Sequence, residues 1–439
     1  MASVRDESRP DSIGPWAWAA ILLASAVVLY TGAKRFLDPV GEKYIEVMPP
    51  GGADFAYPFN GARALLRGLD PYVHQDPDLV DHWLRDEPID GVMFRQFYPP
   101  SHLLLYVPLA WATGDDLRVA SRIWFHFNIV WIFAVAWILW RLARLLLDVP
   151  ESSRDALAAF LPFFVFAFGA NQGACLGLER GQSDIFSTLL CWGAVLLWLF
   201  GKRFWPMFLV TWAMTLKGYA VLLAAGLGLL ALLEGGAAPA VLGALAALAV
   251  NVGPVAKYLP EAVKATTHRA NMFWSLWYNH SFKNLAYAIS PSFADAGRGV
   301  FSLLAAGGTI VCWTKLRRAT RDGAPKPELA LWLALFTSGA LATVLGASAL
   351  SCSYNLVMVL PGAILLALGQ RRLRGALPPW GEPVLGALLL VLVFCLFVFR
   401  FASPTFPIAS LGLLAMPLLG GGLAIASSRR ADREVPSGL

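Results

Sequence analysis

One polar stretch separates the first apolar block of the chain from all the others: Gly51–Pro100, GGADFAYPFNGARALLRGLDPYVHQDPDLVDHWLRDEPIDGVMFRQFYPP. It follows the apolar run Trp16–Tyr30 and is the longest polar segment between apolar blocks. Acid–base chemistry needs ionisable groups, and most of the remaining chain is compatible with a hydrocarbon interior. We therefore look first to this stretch, and to Asp54 within it, for a catalytic group.

The composition is that of an integral membrane protein. Of the 439 residues, 57% are hydrophobic and 15% are charged, whereas ordinary soluble domains have about 25% charged residues. Apolar blocks recur along the whole chain, and about ten to twelve of them are long enough for helices in a bilayer. The predicted fold is an all-α polytopic membrane protein whose long extracytoplasmic first loop carries short interfacial helices.

The charges predict one polytopic unit with both ends in the cytoplasm. We expect a cytoplasmic tail over residues 1–14, a single membrane domain over residues 15–426, and a second cytoplasmic tail over residues 427–439. Loops of about residues 33–97 and 256–297 would lie outside. The net charge of +6 comes from short basic clusters beside apolar runs, which is typical of an orientation signal and not of a nucleic-acid partner.

The topology of the middle of the chain depends on two apolar blocks, the piece that begins at Tyr98 and the block of residues 205–233. The basic pairs Arg141/Arg144 and Lys202/Arg203 face inward only if the piece that begins at Tyr98 is re-entrant and the block of residues 205–233 breaks at Lys217-Gly218. If every block is one full span, both pairs face outward. We favour the broken arrangement, which brings residues 179–182 and Lys217 to the outer face.

Within the first loop, Ala56–Leu69 has apolar or small residues at helical spacing, with Arg63 and Arg67 on one side. This pattern predicts a short amphipathic helix in the membrane interface, with both arginines facing lipid headgroups. A glycine at position 68 and the pair Asp70-Pro71 would end it.

Several ionisable or polar residues fall at membrane depth, where each charge costs roughly 2.5–3.5 kcal/mol to insert and therefore suggests a function. They are Asp54, Glu179, Arg180, Gln182, Asp184, Lys217, Asn279, His280 and Lys283. Each also has a structural interpretation: Asp54 as the cap of a helix that begins near Tyr57, Lys217 as the partner of a nearby acid, and His280 as a residue of an interfacial aromatic belt.

An ordered series of short motifs resembles glycosyltransferase family 87. The motifs are Gly52–Tyr57, Asp70-Pro71-Tyr72, Phe97–Pro100, Gly181-Gln182-Ser183, Leu216–Tyr219 and Asn279-His280-Ser281. Their order and spacing match the family over about Gly51–Leu285, whereas the last third of the chain matches only as apolar spans.

The resemblance implies a GT-C-like helix bundle in a bacterial plasma membrane, with its active site on the extracytoplasmic side. It implies a polyprenyl-phosphate-linked sugar as donor, mannose or arabinofuranose as the sugar, inversion at the anomeric carbon, and a lipid, glycan or protein acceptor. Asp54 would be the general base. The substrate-binding candidates are Lys217, His280, Arg180, Gln182, Asn279, Lys283, Tyr57, Arg63, Tyr72 and Tyr98; Tyr72 and Tyr98 could instead pack the loop.

Many metal-dependent GT-C relatives carry an Asp-x-Asp pair, but Ala56 stands where the second acid would be. We therefore expect no metal and no other cofactor, with Lys217, Arg180, His280 or Lys283 offsetting the phosphate charge.

Two other functions fit a basic polytopic chain. A transporter or flippase of lipid-linked saccharides would often show repeated halves, and no such symmetry is visible because the long polar loop occurs once. A polysaccharide polymerase or ligase would place its large loop in the second half. The single early loop favours a transferase.

Overall fold

The computed structural model describes residues 52–72, 98–114, 116–148, 174, 177–178, 181–273, 280–348, 351, 353–374 and 408–434. The apolar blocks at about Pro15–Thr31, Ala156–Ala170 and Val384–Phe399 therefore lie outside the described residues. The helices are α1 (Gly52–Leu66), α2 (Pro100–Leu104), α3 (Val107–Thr113), α4 (Leu117–Leu147), α5 (Asp184–Leu199), α6 (Phe204–Lys217), α7 (Val221–Leu233), α8 (Ala237–Asn251), α9 (Leu259–Phe273), α10 (Phe282–Ile289), α11 (Ala294–Arg321), α12 (Lys326–Ala347), α13 (Leu360–Arg374) and α14 (Ile408–Glu434).

The described part of the chain is helical and has no strand. Within the described residues, four helical stretches are long and apolar enough to cross a membrane: Leu117–Leu147, Pro291–Arg321, Lys326–Ala347 and Ser410–Ser428. A fifth span is possible if α8 and Gly253–Thr266, which meet at a bend of 56°, count as one. These features confirm the predicted all-α polytopic membrane fold.

The long apolar block of residues 205–233 is broken where the sequence predicted. Helix α6 ends at Lys217, Gly218 takes a left-handed conformation with φ 78°, and α7 begins at Val221. Glycine adopts this conformation without a steric penalty. At 1.5 Å per residue, α6 and α7 are each about 20 Å long, so neither alone spans a hydrocarbon core.

The apolar piece after Tyr98 is also interrupted. Helix α2 ends at Leu104, α3 begins at Val107, and Gly114 follows with φ 59°. The piece is therefore two short helices and not a single span.

Helix α1 differs from the predicted interfacial helix in its limits and its environment. It begins at Gly52 and ends at Leu66, and most of its described side chains are buried within the protein. Phe55 and Phe59 pack against Trp124 and neighbouring residues of α3 and α4. This enclosure by other helices was not evident from the helical spacing of apolar residues.

The prediction that Arg63 faces lipid headgroups is accordingly wrong. Arg63 is only 8% exposed, and its guanidinium donates a hydrogen bond of 3.4 Å to Asn60. Arg67, one turn further on, is exposed.

Close packing of small residues joins α11, α12 and α14. A Cβ atom at Gly308 of α11 would overlap the backbone of Pro417 in α14, and Gly421 lies against Gly308. Thr309 and Thr343 share a hydrogen bond of 2.9 Å between α11 and α12. Small residues and hydroxyl bonds are the usual means by which helices associate in membranes.

The basic clusters of the middle and the C-terminal half meet at one end of the bundle. The ring of Phe200 lies 5.8 Å from the Arg141 guanidinium and 5.9 Å from the Lys326 ammonium. At the same end, Arg317 pairs with Glu234 at 3.7 Å. We call the end of the bundle that carries Arg141, Arg317 and Lys326 the basic end. Helix α5 ends and helix α6 begins there, so the start of α5 and the end of α6 lie at the opposite end of these two helices.

Candidate functional site

A buried polar cluster forms where α5 begins and α6 ends. The Lys217 ammonium donates hydrogen bonds of 2.7 Å to a carboxylate oxygen of Asp184 and to the amide oxygen of Gln182. The Asn355 amide donates to the other carboxylate oxygen of Asp184, also at 2.7 Å. We call Tyr98, Gln182, Asp184, Lys217 and Asn355 the polar cluster.

Helix geometry favours both charges of this cluster. Asp184 lies in the first turn of α5, and Lys217 lies in the last turn of α6. The positive end of a helix dipole stabilises an acid at the N-terminus, and the negative end stabilises a cation at the C-terminus. Gly181 and Gly218, with φ 65° and 78°, form the turns that bring the two helix ends together.

Side chains of α2 fix the end of α6. Ser101 donates a hydrogen bond to the carbonyl of Thr215, and the His102 imidazole donates through Nδ1 to the carbonyl of Leu216 at 3.2 Å. The last carbonyls of a helix have no partner within it. The backbone that carries Lys217 is therefore held by α2.

The imidazole of His102 is neutral. Burial, and then the nearby charge of Lys217, hold its pKa well below the usual value. Because Nδ1 donates to a carbonyl, Nε2 accepts, and the hydroxyl of Ser183 lies 3.3 Å from it. His102 thus links α2 to the turn before α5.

Tyr98 belongs to the polar cluster, and Tyr72 supports it. The amide of Gln182 donates to the Tyr98 hydroxyl at 3.1 Å, and the Lys217 ammonium lies 5.5 Å from the centre of the Tyr98 ring. The Tyr72 hydroxyl donates to the Tyr98 carbonyl at 2.6 Å. Asp70 accepts from the backbone N–H of Tyr72 at 2.8 Å, as a turn residue does.

A stack of rings connects this cluster with the helix that carries Asp54. The ring centres of Tyr98 and His102 are 4.4 Å apart, those of His102 and Tyr106 are 5.5 Å apart, and those of Tyr106 and Phe55 are 5.7 Å apart. We call these four rings the aromatic stack; within it the rings of His102 and Tyr106 lie face to face, and Phe55 meets Tyr106 edge-on. It begins beside Lys217 and ends at the residue next to Asp54.

Asp54 lies in the first turn of α1 and is 8% exposed. The helix starts at Gly52, so Asp54 is not the cap of a helix that begins near Tyr57. Burial, and then the charges of Asp184 and Asp54, raise the pKa of Tyr106 well above its usual value. Both acids therefore act on the same ring of the stack.

His280 precedes α10, and Lys283 lies in its first turn. The backbone N–H of His280 donates to the Ser351 carbonyl at 2.7 Å, and burial lowers the pKa of the imidazole to about 4. His280 is therefore neutral near pH 7 and does not supply the positive charge that the sequence suggested. It is also buried, at 1% exposure, and is not part of an exposed belt. Lys283 pairs with Asp295 at 2.8 Å.

Of the remaining candidates, Arg180 and Asn279 lie outside the described residues, and Tyr57 and Arg63 lie on α1. Tyr57 is half-buried, one turn after Asp54 on α1. Arg63 follows Asp54 by nine residues, which puts it on the opposite side of the helix.

Three residues of the site were given no role from the sequence. Asp184 was counted among the ionisable residues at membrane depth. An acid partner was one interpretation of Lys217, but the sequence did not identify Asp184 as that partner. His102 and Asn355 were not singled out. A signal existed for Asp184, because an acid and a lysine stand at the ends of neighbouring apolar blocks; Asn355, in the turn before α13, has no comparable signal.

Among the residues that the structure describes, no three or more His, Cys, Asp or Glu side chains are grouped so that they could hold a metal ion. Metal independence remains a prediction from the missing second acid at position 56.

Comparison with known proteins gives one match. The family model for glycosyltransferase family 87 matches residues 97–341, which is more than half of the chain. The match contains Tyr98, Gln182, Asp184 and Lys217 and begins after Asp54. Compared with the motif series, it extends further into the C-terminal half and omits the first loop. No curated protein and no solved structure matches the chain.

Proposed function

The chain belongs to glycosyltransferase family 87, and from this premise we propose that it transfers a sugar from a polyprenyl-phosphate donor to a lipid, glycan or protein acceptor. Its family and its apolar helices make it a membrane glycosyltransferase. The proposed sugar is mannose or arabinofuranose, and the proposed reaction inverts the anomeric carbon.

One observation carries the assignment of roles: the aromatic stack begins beside a cation, Lys217, and ends at Phe55, the residue that follows the acid Asp54. Asp54 takes the proton of the acceptor hydroxyl as its oxygen attacks the anomeric carbon. The bond from that carbon to the phosphate oxygen breaks, and polyprenyl phosphate leaves. A single displacement of this kind inverts the configuration.

The charges change in a way that suits this pair. The donor phosphate is a diester with one negative charge, and the departing phosphate has one more. A cation that is already in place stabilises this developing charge without reorganisation. Lys217 fits this role because Asp184 and Gln182 orient its ammonium. The charge on Asp54 changes in the opposite sense, because the carboxylate becomes a neutral carboxylic acid as it accepts the proton.

The basic end supports an outward-facing site. Basic residues are enriched on the cytoplasmic side of membrane proteins, which would place Arg141, Arg317 and Lys326 inside. Trp124 of α4 donates to the Gly181 carbonyl at 2.9 Å, next to the polar cluster. From Trp124 to Arg141, α4 rises about 25 Å, close to the thickness of a hydrocarbon core. The polar cluster would then lie near the extracytoplasmic face.

Purified protein in liposomes is expected to transfer labelled sugar from polyprenyl phosphate, and not from a nucleotide, to an acceptor in a membrane extract. The assay measures labelled product, with and without a chelator, and transfer is expected in both. Transfer from the nucleotide sugar alone would contradict the proposed donor. Movement of intact donor across the bilayer without bond cleavage would indicate a flippase.

Sidedness is expected to appear in labelling of single cysteines. Position 202, for Lys202→Cys, lies at the basic end. Position 264, for Lys264→Cys, lies on α9 near the end of the second segment of the bent pair, and both positions are exposed. In intact cells an impermeant thiol reagent should label position 264 and should label position 202 only after lysis, above the background of the wild type. Labelling of position 202 from outside would contradict the proposed orientation.

A further inference from the structure

Asp184 has no exposed surface and is held from two directions. One carboxylate oxygen accepts from Lys217, and the other accepts from Asn355, each at 2.7 Å. The side chain of Lys217 is 7% exposed. With both oxygens engaged and no exposure, Asp184 is badly placed to take a proton from an acceptor.

Stability alone does not account for a buried ion pair in an apolar bundle. Moving two charges out of water is costly, and replacing such a pair with apolar residues is often neutral or stabilising. The backbone of α6 also has another means of fixation, because Ser101 and His102 bind the carbonyls of Thr215 and Leu216. What the Asp184 carboxylate adds is the direction of the Lys217 side chain.

We propose that Asp184 is a positioning residue that aims the Lys217 ammonium at the donor phosphate, with Asn355 fixing the carboxylate in turn. This inference rests on the proposed function of Lys217. It adds that the acid of the polar cluster acts through Lys217 and touches neither sugar nor acceptor. The pair also leaves the cluster without net charge in the absence of donor, so that the charge of Lys217 is balanced inside the bundle.

Asp184→Glu tests the proposal with the charge retained. Its carboxylate is one methylene further from the backbone and should displace the ammonium by about 1 Å, and a displacement of that size can lower kcat/KM about 100-fold. We expect kcat/KM for the donor to fall about 10- to 100-fold, through a higher KM for the donor and a lower kcat, because Lys217 both holds the donor phosphate and stabilises the charge that develops on it. The KM for the acceptor should be unchanged. Asp184→Asn should lose more, because its amide carries no charge to hold the ammonium. The matched control is Glu261→Gln, which changes a half-buried acid paired with Lys264 on α9. This variant should match the wild type.

A binding measurement separates positioning from folding. Polyprenyl phosphate added to the wild type in detergent should raise its unfolding temperature, and the rise should be smaller for Asp184→Glu even if the unliganded variant unfolds at the wild-type temperature. If Asp184→Glu and Asp184→Asn both keep the wild-type KM for the donor and the wild-type thermal shift, the inference is wrong. If Asp184→Asn does not fold, Asp184→Glu decides.

Failure of the proposed function has a different signature. A wild-type protein that does not use a polyprenyl-phosphate donor would overturn that function and this inference together. A wild type that does transfer, combined with unaltered donor kinetics in Asp184→Glu, would overturn the positioning role alone.

Discussion

Asp54→Asn is expected to lower the rate constant of sugar transfer about 100- to 10,000-fold, which is the usual contribution of a well-placed general base. Asparagine has nearly the same shape as aspartate but does not accept a proton. Asp54 lies in the first turn of α1, so the variant also loses a favourable helix-dipole contact of about 0.3–1 kcal/mol. That loss is small beside the catalytic effect, and the amount of folded protein should stay close to that of the wild type.

The matched control is Asp70→Asn, an acid of the same polar stretch. Asp70 accepts from the backbone N–H of Tyr72, and an asparagine side-chain oxygen can accept the same bond. Transfer by Asp70→Asn should therefore proceed at the wild-type rate. Asp54→Glu keeps a base at a changed distance and should fall between the wild type and Asp54→Asn. Wild-type turnover by Asp54→Asn would remove Asp54 from the mechanism.

Trp192→Ala is expected to destabilise the protein by about 3–5 kcal/mol, as other large-to-small changes in tightly packed cores do. Trp192 of α5 is fully buried, its indole N–H donates to the Met358 carbonyl at 3.0 Å, and its ring lies beside Gly362 at the start of α13. The measurement is thermal unfolding of the purified protein in detergent. Transfer should fall as well, because the short helix that ends at Met358 carries Asn355.

Two variants calibrate this result. Trp111→Ala removes a tryptophan that is 78% exposed on α3 and should change stability by no more than about 0.5 kcal/mol. Trp192→Phe keeps a large ring and loses the N–H donor, so the Met358 carbonyl is left without that bond at a cost of about 1–3 kcal/mol. An unfolding temperature of Trp192→Ala equal to that of the wild type would show that α5 is not anchored there.

The fold was predictable where local signals were strong. A lysine followed by glycine inside a long apolar block indicated the break between α6 and α7, and the structure has it at Gly218. The burial of α1 was not predictable in the same way, because it depends on neighbours that are distant in sequence. Helical spacing of apolar and small residues describes equally well a helix at an interface and one enclosed by protein.

The site was predictable only in part, because some of its contacts depend on the packing of segments that are distant in sequence. Lys217, Gln182 and Tyr98 were each chosen from the sequence, and the structure brings them into contact. Asn355 and Asp184 are 171 positions apart, so their contact depends on how α5 packs against the turn before α13. The neutral state of His280 follows from burial, which the apolar pattern around it did not reveal.

The central claim is that this chain transfers sugar from a polyprenyl-phosphate donor and that Asp54 is its base. The most direct measurement compares wild type and Asp54→Asn, reconstituted at equal amounts, by the rate at which labelled sugar from that donor reaches acceptor. We expect steady transfer by the wild type and at least about a 100-fold lower rate for the variant. Equal rates for the two proteins would contradict the claim.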